Sequence, residues 1–393
     1  MSAFRQAAAI TAINLRSIPQ RLGTSLVICV GTAGVVAVLI AVLAMATGLK
    51  STVASAGRDD RAIVLRGGAL AEALSTITRD DLIAIEAAPG IGRAAEGKLA
   101  ISPEALLSVN LPRASDGHAS AVSIRGLTSA ATAVRPEITL TEGRLFAPGL
   151  HEIVVGKSAH DQFAHLNVGD VAKFYNGDWT VVGRFESRGD VHESEVLTDA
   201  ETLMSAANRT VFSGVTVRLE SPQSFDAFKQ ALLHDPTLKV DVQRETDYYE
   251  GQSKGISTLL GIVANTVGAI MAIGALFGAL NTMYSAVSAR TVEIATLRAV
   301  GFGSWPVVAS VLVEAQALAL AGAFVGGTIA WLMFNGSTFS TGGALGQVAL
   351  RLHVGASLIA VGVVWAAVIG LIGGLFPAIR AARTSVADAL RVV

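Results

Sequence analysis

Four stretches of this chain stay free of charge for longer than a soluble domain requires. Residues 22–49 and 255–289 hold no Asp, Glu, Lys, Arg or His, and 352–379 hold only His353 at one edge. A fourth run, 306–334, is broken only by Glu314. Each exceeds the roughly 20 apolar residues that a helix needs to cross about 30 Å of hydrocarbon. The pattern predicts four transmembrane helices in a one-plus-three arrangement, at 22–49, 255–287, 304–334 and 354–379. A cleaved signal peptide competes for the first run, because Ala44-Met45-Ala46 resembles a cleavage site. Such apolar regions run to only about 7–15 residues, so an anchor is expected.

Basic residues near the runs give an orientation. Arg5, Arg16 and Arg21 precede the first without an acid, Arg290 and Arg298 lie between the second and third, and Arg380, Arg383 and Arg391 follow the fourth. Only Arg351 lies between the third and fourth. Both termini (1–21 and 380–393) and the 288–303 connection are expected in the cytoplasm of a bacterial cell. Residues 50–254 and the loop 335–353 are expected outside. In the first segment Phe4, Ala8, Thr11, Leu15, Ile18 and Leu22 fall on one side of a helical wheel, with Arg5 and Arg16 opposite. That predicts an amphipathic helix in the membrane interface.

Residues 50–254 alternate as a folded domain does. Period-two stretches at 62–66, 121–125, 152–155, 179–183 and 215–219 predict strands. Residues 78–87, with Thr78 as N-cap, and 224–233 predict helices. Asn176-Gly177 marks a hairpin turn. The fold class is therefore α-helical membrane protein plus a large α+β domain between the first two crossings.

Composition agrees: of 393 residues, 51% are hydrophobic and 16% charged, and the mean hydropathy is +0.54. The net charge of −1 gives no footprint for nucleic acid, and a single cysteine, Cys29, rules out a disulfide framework. Catalytic signals are thin. Gly92-Arg93-Ala94-Ala95-Glu96-Gly97-Lys98-Leu99 matches a phosphate-binding loop except at its last position, where Leu99 cannot hold Mg²⁺. His192-Glu193 lacks the second histidine of a zinc-protease helix, and His160 and His165 are five apart, so no metal is expected. The chain is read as a non-enzyme without a cofactor of its own.

The spans carry more information. Gly274/Gly278, Gly322/Gly326 and Gly370/Gly374 place a small-residue step in three of them, which permits close helix packing. Glu314 is a candidate intramembrane polar site, since a central carboxylate facing lipid costs roughly 2.5–3.5 kcal/mol. In the 288–303 connection, Arg290, Glu293, Ile294 and Leu297 share one side of a helix and Val292, Ala295 and Ala299 the other. The first side forms an apolar knob flanked by charge, suited to a socket on another protein. Gly301 can end this helix, and Ser304 with Trp305-Pro306 can begin the next.

Arg290-x-x-Glu293-Ile294-x-x-Leu297-Arg298-Ala299-x-Gly301 resembles the coupling helix of the MacB/FtsX-like permeases of ABC transporters. The tail is similar too, with Pro377-Ala-Ile-Arg380-Ala-Ala-Arg383 and then Ala387-Asp-Ala389-Leu390-Arg391. In the outer domain, Gly143-Arg144-Leu145-Phe146, Glu152-Ile-Val-Val-Gly156, Val168-Gly169-Asp170 and Trp179-Thr-Val-Val-Gly183 resemble the family's extracytoplasmic domain. The resemblance implies the efflux and lipoprotein-release branch (MacB/LolC/LolE type), with two lobes outside, the inserted one at about 120–208. It implies mechanotransmission: a separate ATPase dimer binds ATP and Mg²⁺, docks on Arg290, Glu293, Ile294, Leu297 and Arg298, and drives the outer domain. Implied partners are a second permease copy or paralogue, a periplasmic adaptor in the efflux case, and inner-membrane lipids. A membrane-anchored sensor or scaffold working without an ATPase is the alternative, and a tethered outer enzyme a third.

Overall fold

The computed structural model describes residues 3–17, 22–94, 97–343 and 346–383. The chain begins with α1 (Ala3–Ser17), α2 (Leu22–Ala54), β1 (Arg61–Arg66), α3 (Arg79–Glu86), β2 (Ile101–Pro112), β3 (Ala119–Leu127), α4 (Ala131–Val134) and β4 (Thr139–Gly143). It continues through β5 (Glu152–Gly156), α5 (Lys157–Gln162), β6 (Val171–Phe174), β7 (Gly177–Glu186), β8 (Glu195–Asp199), α6 (Ala200–Ala206), β9 (Gly214–Arg218), α7 (Phe225–His234) and β10 (Val240–Arg244). The last elements are α8 (Glu245–Ala289), α9 (Thr291–Ala299), α10 (Ser304–Phe334), β11 (Thr338–Gly343), β12 (Gly346–Arg351) and α11 (Ala356–Arg383). Contacts divide them into a helical unit, drawn from Met1–Thr47, Thr258–Ser337 and Leu352–Val393, and an α+β unit, Gly48–Ser257 with Thr338–Arg351.

Among the described residues four helices, within α2, α8, α10 and α11, are long and apolar enough to cross a membrane. Their outward surface is apolar, with Phe277, Phe324 and Phe376 all exposed, as lipid contact favours. Glycine decides the closest approaches. A Cβ on Gly370 or Gly374 of α11 would lie 2.8 or 2.6 Å from the Cβ of Ala319 or Ala315 on α10. On Gly322 it would lie 2.7 Å from the Cys29 carbonyl of α2, and Gly326 sits as tightly on Ala33. The third step behaves differently. Gly274 has nothing within 4 Å, and Gly278 only Val27 at 3.8 Å, so this step packs no helix of its own chain closely.

Helix α1 lies along α10. Its packed side carries Ile10 and Asn14, both buried, while Phe4 and Ala8 of the stripe expected to face lipid are exposed. Asn14 Nδ2 donates to Ser310 Oγ at 2.5 Å, which selects the polar-centred face. Ile18 and Arg21 lie outside the described residues, as do Ala95 and Glu96 of the loop-like motif and the tail from 384 onward, including Ala387 to Arg391.

The α+β unit is built on one ten-stranded sheet in the order β10-β1-β9-β2-β3-β8-β5-β7-β4, with β6 beside β7. The long strand β2 joins two lobes: residues 101–104 pair with β9, and residues 105–112 pair with β3. The sheet therefore changes partner within β2, between residues 104 and 105. A continuous core, including Trp179, Phe163, Phe212 and Phe228, runs under both. Thr78 caps α3 in a reciprocal capping box with Asp81. The hairpin turn falls one residue early, because Phe174 pairs with Gly177 and the positive-φ pair is Tyr175-Asn176. The segment expected as an outer loop forms the antiparallel hairpin β11–β12, paired from Thr338↔Arg351 to Gly343↔Gly346.

Candidate functional site

Helix α8 breaks at Arg290, whose φ of −110° and ψ of 13° leave the helical region, and α9 follows at once. Gly301, at φ +103°, closes α9. The Gly301 N–H donates to Arg298 O and the Phe302 N–H to Leu297 O, both at 3.1 Å. Only glycine adopts that left-handed turn without strain. Helix α10 then begins at Ser304, as expected, with Gly303 at its N-cap.

The short helix is oriented by what it buries. Arg290 is 7% exposed and Glu314, on α10, is 6% exposed. Arg290 Nη1 lies 3.4 Å from Glu314 Oε2, and its Nε 3.3 Å from Glu293 Oε2. The carboxylate inside a span thus faces a guanidinium brought from the α8–α9 corner. The two line a cavity of about 20 Å³ with Asn14, Ile294 and Leu297, space for about one water.

That geometry changes the expected docking face. Ile294 and Leu297 pack inward on a cluster that includes Ile10, Met283, Val287, Val307 and Val311. The apolar knob is thus half-buried against the chain's own core. The surface left outward carries Val292 (44% exposed), Glu293, Thr296 and Val300 (75%), followed by Trp305 (65%). Arg298 is half-buried. The described part of the tail motif joins the same cluster through Ala378 and Ala381, and Arg380 lies over the Tyr284 ring at 5.5 Å.

The α+β unit holds a second constellation that sequence reading missed. Arg125 is gripped by Glu195 at 2.7 and 2.8 Å, Glu104 at 2.6 Å and Glu72 at 2.9 Å. Arg135 reaches Glu245 at 2.5 Å and His192 Nε2 at 3.1 Å. Arg61 bridges Glu137 at 2.6 Å and Glu245 at 2.7 Å. All these side chains are buried. Burial opposes ionisation of Glu104, but Arg135 and Arg125 outweigh it and hold the carboxyl at about 2. Glu195 is likewise held well below the usual carboxylate range against its burial, by Arg125 and His192. The network joins β1, β2, β3 and β8, hence both lobes, to Glu245, the first residue of α8. Its one sequence signal is an arginine inside each of two apolar strand patterns, Arg61-Ala-Ile-Val-Leu and Val-Ser-Ile-Arg125.

Similarity to known proteins follows the same division. The MacB-like periplasmic core domain matches residues 22–234, and the FtsX-like permease C-terminal matches residues 265–386. An uncharacterized ABC transporter permease of Methanocaldococcus jannaschii is 26% identical over 60% of this chain and 60% of its own length. A macrolide export ATP-binding/permease protein MacB of Rhodopirellula baltica is 28% identical over 45% of this chain and 26% of its own. The chain thus spans less than two thirds of either relative. The extracellular domain of the noncanonical ABC-type transporter YknZ from Gram-positive bacteria aligns with 47% of this chain and 99% of its own, at 14% identity and a TM-score of 0.36.

Proposed function

The chain belongs to the MacB/FtsX-like permeases of ABC transporters, and from that premise we propose that it couples ATP hydrolysis on a separate ATPase subunit to movement of its extracytoplasmic domain. The work served is efflux or the extraction of lipids or lipoproteins. One observation carries this reading: α8 is a single helix of 45 residues, about 68 Å long at 1.5 Å per residue. Its first residue, Glu245, is locked into the buried arginine network, and a single residue, Arg290, separates its last from α9. A push on α9 therefore has a continuous helical path to the domain.

In this reading α1, α9 and the C-terminal end are cytoplasmic, as the flanking arginines favour. ATP and Mg²⁺ bind the partner. The ATPase contacts Val292, Glu293, Thr296 and Val300, while Arg290, Ile294 and Leu297 hold α9 on the bundle. A second permease copy packs on α8, of whose apolar window only 17% is buried against 39% for each other span. The open Gly274 offers that copy a close approach.

The test is co-purification from the native membrane. Wild-type protein should bring down an ATPase, and Glu293→Lys or Val300→Asp should abolish this without lowering the yield of permease. If wild-type protein neither retains nor stimulates any ATPase, the coupling reading fails and the anchored scaffold takes its place.

A further inference from the structure

Beside the buried network the α+β unit opens into a cavity of about 380 Å³, lined by Arg58, Asp60, Arg61, Glu137, Arg188 and Arg218 among others. That volume lies within the range of small-molecule sites, about 300–1,000 Å³. Arg61 and Glu137 neutralise each other at 2.6 Å. The remaining lining sets three guanidinium groups against Asp60.

These arginines come from three separate segments: the turn after α2, the loop after β7, and the end of β9. Arg218 spends one donor on the Ala133 carbonyl, at 3.0 Å. Arg188 is exposed and held at φ +52° ahead of Gly189 at φ +77°. The left-handed region is unfavourable for a side chain such as arginine, and such outliers cluster at active sites and ligand clamps. Guanidinium forks match phosphate oxygens bidentately, and Asp60 adds an acceptor for a ligand hydroxyl.

We propose that this cavity binds a small, hydroxylated phosphate ester, either a phospholipid headgroup or a soluble ester. Both sources have a route. Eight residues of α8, nine steps or about 13 Å of helix, separate Glu245 from Lys254, the last charge before the apolar run. The ligand acts on the root of that helix. The Arg58 N–H donates to Glu245 Oε2 at 3.1 Å, and Arg61 in the cavity wall pairs with the same carboxylate at 2.7 Å. The site stands whether or not an ATPase docks at α9.

The test is calorimetric titration of the full chain in nonionic detergent with glycerol 3-phosphate, dihexanoyl phosphatidylglycerol and, as zwitterionic control, dihexanoyl phosphatidylcholine. Saturable binding of one equivalent is expected for at least one of the first two, at least tenfold weaker in Arg58→Gln/Arg188→Gln and unchanged in Arg93→Gln. Binding of glycerol phosphate identifies a soluble source, and binding of phosphatidylglycerol alone identifies a lipid. If the double variant does not fold, Arg188→Gln alone should still weaken binding at least threefold. No saturable binding, equal binding of the choline lipid, or affinity unaltered in the variants overturns the site.

Discussion

At the scale of single residues, Glu314 and Arg290 carry the main change to the picture. A carboxylate inside a span is costly unless something answers it, and the partner comes from 24 residues earlier, across the α8–α9 corner. Removing one member of a buried pair strands the other, whereas removing both is far milder. Arg290→Met should lower the thermal midpoint of the detergent-solubilised protein, and adding Glu314→Gln in the same chain should restore much of it. The expected coupling is about 0.5–3 kcal/mol, and additive losses in the double variant would refute the pairing. Glu314 stood out in the sequence as the lone acid of its run. Its partner did not, because Arg290 reads equally well as a surface charge until the helix break turns it inward.

At the scale of elements, the helix–helix contacts discriminate among glycine steps that look alike in sequence. Gly322 and Gly326 of α10 meet α2 at van der Waals limits, while Gly274 of α8 faces open space. Overpacking a tight contact costs about 1–3 kcal/mol. Gly326→Ala should therefore destabilise the solubilised protein by that amount, and Gly274→Ala should leave its unfolding midpoint unchanged or raised. Equal losses at both positions would contradict the packing. Helix α9 teaches the same lesson: its terminating Gly301 follows from local chemistry. The choice of which face it buries follows from Met283 and Val307 on the flanking helices and from Ile10, nearly 300 residues away in sequence.

At the scale of the whole molecule, the two lobes and the root of α8 are held by buried charge as well as by the apolar core. Arg135→Met removes the guanidinium shared by Glu245 and, at 3.4 Å, Glu104; because Arg61 and Arg125 still pair those carboxylates, the cost should fall at the low end of the range for a broken buried pair, about 3 kcal/mol at pH 7. The pH dependence has a definite sign. Glu104 is held at about 2 in the fold, below its ordinary 4.5, so it contributes stability above pH 4.5 that is lost as pH falls toward 2. The wild type should therefore lose stability over that window. In Arg135→Met burial raises the carboxyl's proton affinity, so the gap between variant and wild type should narrow from pH 7 to pH 4, as read by thermal unfolding. A gap that is constant with pH would place the cost in packing instead. The sequence by itself determined the four spans, the domain between the first two, the ends of α3 and the Gly301 stop of α9, because charge-free length, caps and αL glycines are local properties. Only the tertiary structure decided that Ile294 and Leu297 turn inward, that Gly274 stays open, and that Arg61 and Arg135 converge on Glu245 while Arg125 gathers Glu72, Glu104 and Glu195. Those outcomes depend on which distant side chains compete for the same buried space and charge.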